Sequence, residues 1–224
     1  MRLGIVADVH CRSDALREAA EQMTAAGVEE ILLAGDAHYQ YRFSDETVDV
    51  IREFGMRCVA GNHEAVLLGP HGRRALADPR VRAENVAFTR EMPDRLTTTV
   101  GGRRLTMVHA DPFARTYDYL YADDPRFDRA DELDTDVLVL GHTHVPMVAR
   151  FGRTLVVNPG ALMLSRDPGG HGVLTYAVLD TGGDDVFVIR DGAGWDDPVR
   201  PVERSSRLHG RAGPAVAEVS ATTR

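Results

Sequence analysis

The chain of 224 residues carries 34 acidic and 26 basic side chains, a formal net charge of −8, and 43% of its residues are hydrophobic. This composition is typical of a globular domain, excludes disordered and fibrous chains, and argues against non-specific binding of nucleic acid. The two cysteines exclude a disulfide framework, no apolar run approaches the roughly 18 to 20 residues of a membrane span, and the N-terminus lacks a secretory pattern, so we expect a cytoplasmic protein without a membrane segment.

The first hundred residues alternate β-rich runs with amphipathic helical segments, which predicts an α/β layer structure. The predicted order is a strand at 3–7, a helix from the N-cap Ser13 to Gly27, a strand at 31–34, a helix from the N-cap Ser44 to Gly55, a strand at 56–60 and a helix over 80–91. Serine favours a helix start because its side chain accepts a hydrogen bond from a free N–H group of the first turn. The chain therefore opens as a βαβαβ unit.

From Leu96 onward the pattern predicts hairpins, with strands at 96–100, 105–108, 137–140, 148–151, 155–157, 173–179 and 186–189. Gly-Gly pairs at 101–102 and 182–183 mark two of the turns. Residues 111–135 are rich in acidic and aromatic residues without clean periodicity, which predicts an irregular insertion over a site. We expect a single domain over 1–202 and a disordered tail over 203–224, where large apolar residues are scarce.

Polar residues follow the predicted strands at the points where the strands end. Because open α/β sheets bind ligands at the carboxyl ends of their strands, we expect these groups to meet at one edge. Seven oxygen and nitrogen ligands are too many for one tetrahedral zinc ion and suit two divalent ions that share a carboxylate. The candidate ligands are Asp8, His10, Asp36, Asn62, His109, His142 and His144.

The order of these motifs resembles the calcineurin-like metallophosphoesterase superfamily, most closely its small prokaryotic phosphodiesterase-like branch. The chain has Asp8-Val9-His10, Gly35-Asp36, Gly61-Asn62-His63-Glu64, His109, Gly141-His142-Thr143-His144 and Asn158-Pro159-Gly160-Ala161. The resemblance covers about residues 1–190. It implies two packed mixed β-sheets flanked by helices, a four-layer sandwich, and hydrolysis of phosphoester bonds in a small phosphorylated molecule, with nucleotide-derived molecules among the candidates.

The resemblance also implies a role for each motif residue. Asp8, His10 and His144 would bind one metal ion, Asp36 would bridge, and Asn62, His109 and His142 would bind the other. Two cations lower the pKa of a bridging water from about 15.7 toward 7, so hydroxide becomes available to attack phosphorus in line. His63 adjoins a ligand without being needed as one, which makes it the candidate general acid. Mn²⁺ or Fe is favoured, with Zn²⁺ and Ni²⁺ as alternatives.

Three further residues are candidates for contacts with substrate. Arg12 and Arg166 could pair with phosphate, because an arginine fork matches its oxygens; the alternative for Arg12 is an exposed arginine at the start of a helix. His38 is either a substrate contact or a partner that orients a ligand. Asp111, close behind His109, adds a negative charge that favours a diester over a doubly charged monoester.

A second class of function is a scaffold with the same fold and no turnover, as in the retromer subunit that resembles this family. Intact His63 and the complete ligand set argue against it. A zinc hydrolase acting on carbonyl substrates fits less well, because the chain lacks a helical HExxH motif. The tyrosines of the 111–135 insertion could stack on a nucleobase or pack under the loop. The sequence leaves the substrate, the native metals and the oligomeric state undetermined.

Overall fold

The computed structural model describes residues 1–114, 116–164, 166, 173–190 and 198–204. Its strands are β1 (Arg2–Val6), β2 (Glu30–Leu33), β3 (Arg57–Cys58), β4 (Arg95–Val100), β5 (Arg103–Val108), β6 (Val137–Val139), β7 (Met147–Phe151), β8 (Thr154–Asn158), β9 (Thr175–Asp180), β10 (Asp185–Arg190) and β11 (Val202–Arg204). Its α-helices are α1 (Ser13–Ala25), α2 (Asp45–Glu53), α3 (Asn62–Leu68), α4 (Arg73–Leu76) and α5 (Ala83–Arg90), and 3₁₀ segments cover Pro70–Gly72 and Pro125–Leu133. No helix in this part of the chain is long and apolar enough to cross a membrane.

The described strands form two mixed sheets, one in the order β10-β9-β1-β2-β3 and one in the order β11-β7-β8-β6-β5-β4. In the first sheet β1, β2 and β3 run parallel, and β9 and β10 form an antiparallel hairpin beside β1. In the second sheet β5, β6 and β8 run parallel, and β4 and β5 form the other predicted hairpin. The predicted α/β class with two mixed sheets is confirmed.

The two sheets pack face to face. Successive residues of a strand point to opposite surfaces, so each inner strand contributes side chains both to the space between the sheets and to the surface covered by helices. In β1, Leu3 and Ile5 lie between the sheets, whereas Val6 faces the helices. In β2, Leu32 and Leu33 divide in the same way, and all five side chains are fully buried. Burial on both surfaces explains why these strands are continuous apolar runs in the sequence.

Helices α1 and α2 cover the outer face of the first sheet. Leu16 and Met23 of α1 and Ile51 of α2 are fully buried in one cluster with Val6 and Leu33 of the sheet. These apolar positions recur at helical spacing, so the amphipathic pattern correctly placed the helices against a core.

The starts of these two helices differ. The side chain of Ser44 accepts a hydrogen bond from the Thr47 N–H at 3.2 Å, as predicted for the N-cap of α2. The prediction for α1 was wrong: Ser13 is already its first helical residue, and Arg12 occupies the cap position without a capping side-chain hydrogen bond. The chain enters α1 directly from the loop after β1, which leaves Ser13 no cap position.

The 111–135 stretch packs on the outer face of the second sheet. Leu120 and Phe127 are almost fully buried in one cluster with Leu138 and Val156. Apart from the 3₁₀ segment, the described residues of the stretch contain no helix or strand. These buried side chains therefore anchor the stretch, and the stretch forms the fourth layer of the structure, outside the second sheet.

Several elements differ from the predicted pattern, and α4 is among those that were not predicted. Strand β3 spans only Arg57–Cys58, and the third predicted helix spans only Ala83–Arg90. Helix α3 was not predicted, because Gly61-Asn62 also fits a turn. Strand β11 pairs with β7 through Val202–Arg204, so the expected domain boundary after 202 falls inside a strand. Residues 205–224 of the expected tail lie outside the described residues.

Candidate metal centre

The loops after β1, β2 and β6 hold several non-glycine residues in the left-handed region of backbone conformation. They are Asp8, His10, Cys11, Asp36, His142 and His144, with φ between 47° and 68°. Such conformations are costly and persist where the surroundings fix them. Here the loops after β1 and β2 are bonded together, since the N–H groups of Asp8 and His10 donate to the carbonyls of Gly35 and Asp36 at 3.1 and 3.0 Å. The backbone therefore sets the direction of each side chain.

Asp8, His10 and His144 form the first group of candidate ligands. The Nε2 atom of His144 lies 3.2 Å from Asp8 Oδ1 and 3.2 Å from the Nε2 atom of His10. Asp8 is held in turn, because its Oδ2 accepts a hydrogen bond from the His142 N–H at 2.9 Å. Three ligand atoms from the loops after β1 and β6, one strand of each sheet, thus converge on one point.

Asp36, His109 and His142 form a second group, whose ligand atoms all lie within 4.8 Å of one another. The Nε2 atom of His109 lies 3.3 Å from Asp36 Oδ2 and 3.0 Å from Asn62 Oδ1. Asp36 Oδ2 also lies 3.9 Å from Nε2 of His10 in the first group. Asp36 therefore stands between the two groups, and all seven predicted ligands meet at this edge.

Backbone carbonyls fix which nitrogen of three imidazoles faces the centre. The Nδ1 atom of His109 lies 2.7 Å from the Ala34 carbonyl oxygen, and that of His144 lies 3.1 Å from the Leu164 carbonyl oxygen. The Nε2 atom of His142 lies 2.9 Å from the Tyr117 carbonyl oxygen. A carbonyl accepts only, so each of these nitrogens carries a proton and the opposite nitrogen is left as a metal ligand.

The donor set fits divalent cations. Asp8 Oδ1 and His10 Nδ1 are buried and have no hydrogen-bond partner among the described residues, although buried polar atoms are nearly always paired. A cation bound by Asp8 Oδ1 would satisfy that orphaned oxygen. Carboxylate, amide and imidazole donors together suit Mn²⁺, Fe and Zn²⁺.

Burial and neighbouring charges shift the pKa values of several groups in the centre. Burial would raise the pKa of Asp36, but His109 and the other nearby imidazoles hold it below its ordinary value. Burial would lower the pKa of His109, but the Asp36 carboxylate raises it. Burial lowers the pKa of His10 to about 4, so this ring is neutral at pH 7. A cation at this centre would replace the proton held between Asp36 and His109.

His63 lies beside the ligands at the start of α3. Its Nδ1 accepts a hydrogen bond from the Gln40 N–H at 3.0 Å, so the proton of the neutral ring is on Nε2. That Nε2 lies 3.8 Å from Asp36 Oδ2, and the ring remains partly exposed. The His63 N–H donates to Asp36 Oδ1 at 2.9 Å, which ties the helix start to the carboxylate. His63 thus presents a proton donor toward the centre.

Glu64 is a positioning residue to which the sequence interpretation gave no separate role. Its carboxylate is fully buried and accepts hydrogen bonds from the N–H groups of Asp36, His38 and Gly61, at 2.9, 2.9 and 2.7 Å. Burial raises its pKa to about 7, and Asp36 adds to the shift. An acidic residue three positions after a helix cap was the available signal, because such a residue reaches back to the cap N–H.

Asn158 is a second positioning residue, which holds the loop after β6. Its side-chain amide donates to the Gly141 carbonyl at 2.7 Å and to Thr143 Oγ1 at 3.1 Å. Its Oδ1 accepts the Gly160 N–H at 2.9 Å. The family-like Asn158-Pro159-Gly160 segment thus braces the loop that carries two candidate ligands.

The three predicted substrate contacts have different surroundings. The guanidinium of Arg12 pairs with both oxygens of Asp14 at the exposed start of α1, at 2.9 and 3.0 Å, so its contact with phosphate stays a prediction. Arg166 lies at the rim of the centre, where its N–H donates to the His144 carbonyl at 2.9 Å. Its guanidinium lies 5.8 Å from the ring centre of Tyr119.

The prediction that His38 contacts substrate was wrong. The side chain is fully buried, stacks on Phe43 with ring centres 4.2 Å apart, and lies 3.1 Å from Thr89 Oγ1 through Nε2. Its Nδ1 accepts a hydrogen bond from the Ser44 N–H at 3.3 Å. Both ring nitrogens are therefore used to pack the loop after β2 against α2 and α5.

Asp111 and Cys11 lie next to candidate ligands, and the structure shows the surroundings of both. Asp111 is buried and pairs with Arg126 at 2.7 Å, but the same guanidinium also pairs with Asp118 and Asp124, so this group keeps a net negative charge. Cys11 is buried, and burial raises the pKa of its thiol, which favours a packing role over redox sensitivity.

The comparisons with known proteins agree with this geometry. A model of the calcineurin-like phosphoesterase superfamily domain matches residues 1–184. The fold is similar to that of a metallophosphoesterase from Sphaerobacter thermophilus, at 24% identity over 85% of this chain and 88% of that one, with a TM-score of 0.67. It is similar to an archaeal phosphodiesterase, at 21% identity over 85% and 99% of the two chains, with a TM-score of 0.57. It is also similar to Vps29 from Entamoeba histolytica in complex with zinc, at 15% identity over 86% and 95%, with a TM-score of 0.52.

Proposed function

Because the chain belongs to the calcineurin-like phosphoesterase superfamily, we propose that it is a dinuclear metal-dependent hydrolase of phosphoester bonds in a small phosphorylated molecule. The proposal covers phosphodiesters and phosphomonoesters, and it favours a diester because Asp111, Asp118 and Asp124 share the single positive charge of Arg126. The single observation that carries it is the position of Asp36, whose Oδ2 lies within 3.9 Å of His10 in one ligand group and within 3.3 Å of His109 in the other.

In this proposal Asp8, His10 and His144 hold one ion, and Asn62, His109 and His142 hold the second, with Asp36 shared. When bound, the two ions lower the pKa of coordinated water toward 7 and neutralise charge on phosphate oxygens. The mixed nitrogen and oxygen donors favour Mn²⁺ or Fe, with Zn²⁺ and Ni²⁺ as alternatives.

The protein's own residues supply orientation and a hydrogen-bond donor. The Gln40 N–H keeps the proton of His63 on Nε2, the atom that faces Asp36. From there the Nε2–H can donate a hydrogen bond to the oxygen of the leaving group and stabilise the charge that develops on it, while a proton from solvent completes its departure as an alcohol. Arg166 at the rim carries the positive charge best placed to pair with a phosphate oxygen or with a charged part of the substrate.

The alternative is a scaffold that binds metal without turnover. This alternative is considered because the fold is similar to that of Vps29, whose structure was determined in complex with zinc. Metal binding alone therefore does not distinguish an enzyme from a scaffold. The complete ligand set and the placement of His63 support the enzyme.

The experiment is hydrolysis of bis(p-nitrophenyl) phosphate and p-nitrophenyl phosphate with Mn²⁺. We expect turnover of at least one ester, abolished by Asp36→Ala and by His63→Ala. His71→Ala is the matched control, because His71 is exposed on the 3₁₀ segment Pro70–Gly72 outside the centre. A protein that binds Mn²⁺ and hydrolyses neither ester with any of the four metals would favour the scaffold.

A further inference from the structure

Exposed aromatic and apolar side chains border the candidate metal centre. Among the described residues, the exposed large hydrophobic side chains include Tyr117, Tyr119, Tyr121 and Leu164. The Tyr117 and Leu164 carbonyls bond to His142 and His144, so this patch adjoins the ligands directly. Exposed apolar surface beside a polar site is typical of a binding surface.

Contacts of Leu120 and Asp118 fix the backbone of this patch, and its tyrosine rings face outward. Tyr119 and Tyr121 flank Leu120, and the exposure of these three side chains alternates. Leu120 is buried in the core beneath the insertion, and Asp118 pairs with Arg126 at 3.0 Å. Tyr119 and Tyr121 lie on the other side, where 46% and 42% of their surfaces are exposed.

Tyr119 and Tyr121 present nearly parallel rings. Their planes differ by 8° and their centres are 6.3 Å apart, a separation that leaves part of each face uncovered by the other ring. Tyr119 also stacks on His142, with ring centres 4.2 Å apart and planes at 18°. The aromatic stack therefore begins at a candidate metal ligand and extends outward to Tyr121.

We propose that Tyr119 and Tyr121 form a stacking platform for a planar ring in the substrate, so that the substrate class is aryl or nucleobase-containing phosphoesters. This inference rests on the proposed function, because it places the phosphate at the metal centre and the ring on the platform. A planar π-face stacks on tyrosine without needing a particular hydrogen-bond pattern. Saturated substituents of the same size lack that face. Arg166, beside Tyr119, adds a cation next to the ring.

The test uses two phosphonates that the enzyme cannot hydrolyse as esters, benzylphosphonate and cyclohexylmethylphosphonate. They carry the same charged group and differ in having a planar or a saturated ring. Calorimetry with the Mn²⁺-loaded protein should show benzylphosphonate binding about five- to tenfold more tightly, the size expected for one stacking contact. Tyr121→Leu should abolish this preference, and Tyr121→Phe, which keeps the ring, should retain it.

Tyr121 is the residue to vary because it does not contact His142, and equal melting temperatures of the variants establish that all are folded. Equal affinities of the two phosphonates for the unaltered protein would overturn the platform and leave the proposed function standing. A preference that persists in Tyr121→Leu would also overturn it. If neither phosphonate binds while a nitrophenyl ester is hydrolysed, the platform fails and the proposed function stands; the absence of hydrolysis is what counts against the proposed function.

Discussion

The Glu64 carboxylate accepts the Asp36 N–H hydrogen bond at 2.9 Å, and through this contact the loop after β3 fixes the residue shared by both ligand groups. The same carboxylate holds the N–H groups of Gly61 and His38. A buried acceptor for three backbone donors joins two loops that are not neighbours in sequence. The position of Asp36 therefore depends on a side chain that is not itself a candidate metal ligand.

Replacing Glu64 should destabilise the fold and weaken the metal centre together. In Glu64→Gln one oxygen becomes a donor, so at least one buried N–H loses its acceptor, and we expect a loss of about 1–3 kcal/mol in the free energy of unfolding. Mn²⁺ affinity should fall about 10- to 100-fold, as for other residues that orient ligands. Urea unfolding and calorimetry measure these values. Glu84→Gln, at an exposed position on α5, should change neither.

Gly61 leaves room for the Asp36 carboxylate. A Cβ atom at Gly61 would overlap Asp36 Oδ1, although the backbone φ of −109° is ordinary for any residue. Gly61→Ala should therefore shift Asp36 and raise the Kd for Mn²⁺ by at least about tenfold. Gly182→Ala is the control, because a Cβ there meets no atom closer than 3.4 Å. Unchanged Mn²⁺ binding in Gly61→Ala would contradict this account of the glycine.

The parallel strands explain why the ligands could be predicted from sequence. Asp8 and Asp36 follow apolar runs that pair side by side, so the chain brings them together at one sheet edge. The roles of their sequence neighbours could not be predicted, because Asp36 has a φ of 54° and the strand alternation ends there. His38 consequently turns into the core instead of toward the centre.

The sequence patterns also could not predict short elements or the placement of irregular stretches. Helix α3 has seven residues and begins with a motif that equally fits a turn. The 111–135 stretch is placed by buried anchors such as Leu120 and Phe127, which no periodicity reveals. The pairing of Asp111 with Arg126 likewise depends on tertiary folding of that stretch.

The burial of His38 predicts a pH dependence of stability. Burial lowers its pKa to about 4, below the value of about 6.5 in an unfolded chain. Between these two pH values the unfolded state binds a proton that the folded state does not. The contribution of neutral, buried His38 to stability is therefore fully present above about pH 6.5 and is lost as the pH falls toward 4. Urea unfolding of metal-free protein at pH 8 and pH 5 should show a smaller loss for His38→Gln, by up to about 2 kcal/mol. Equal losses in the two proteins would contradict the prediction.

Asn158 tests whether the loop after β6 must be braced for metal binding. Asn158→Ala removes the donor to the Gly141 carbonyl and to Thr143, so the loop that carries His142 and His144 loses its support. We expect Mn²⁺ affinity to fall about 10- to 100-fold and the free energy of unfolding to fall by about 1–3 kcal/mol. Any buried amide is expected to contribute to stability, so a loss of stability alone would not show a role in metal binding. The control variant must therefore lose a similar amount of unfolding free energy.

Asn85 provides that control. It is equally buried, and its amide donates to Asp45 Oδ1 at 2.8 Å, away from the ligands. Asn85→Ala should lower the free energy of unfolding by a similar amount while leaving Mn²⁺ affinity within about twofold of the unaltered protein, because well-separated sites act independently. Calorimetric titration of both variants below their unfolding temperatures separates the effects. If both variants lose Mn²⁺ affinity to the same extent, the loss follows from general loosening of the fold, and Asn158 has no specific part in positioning His142 and His144.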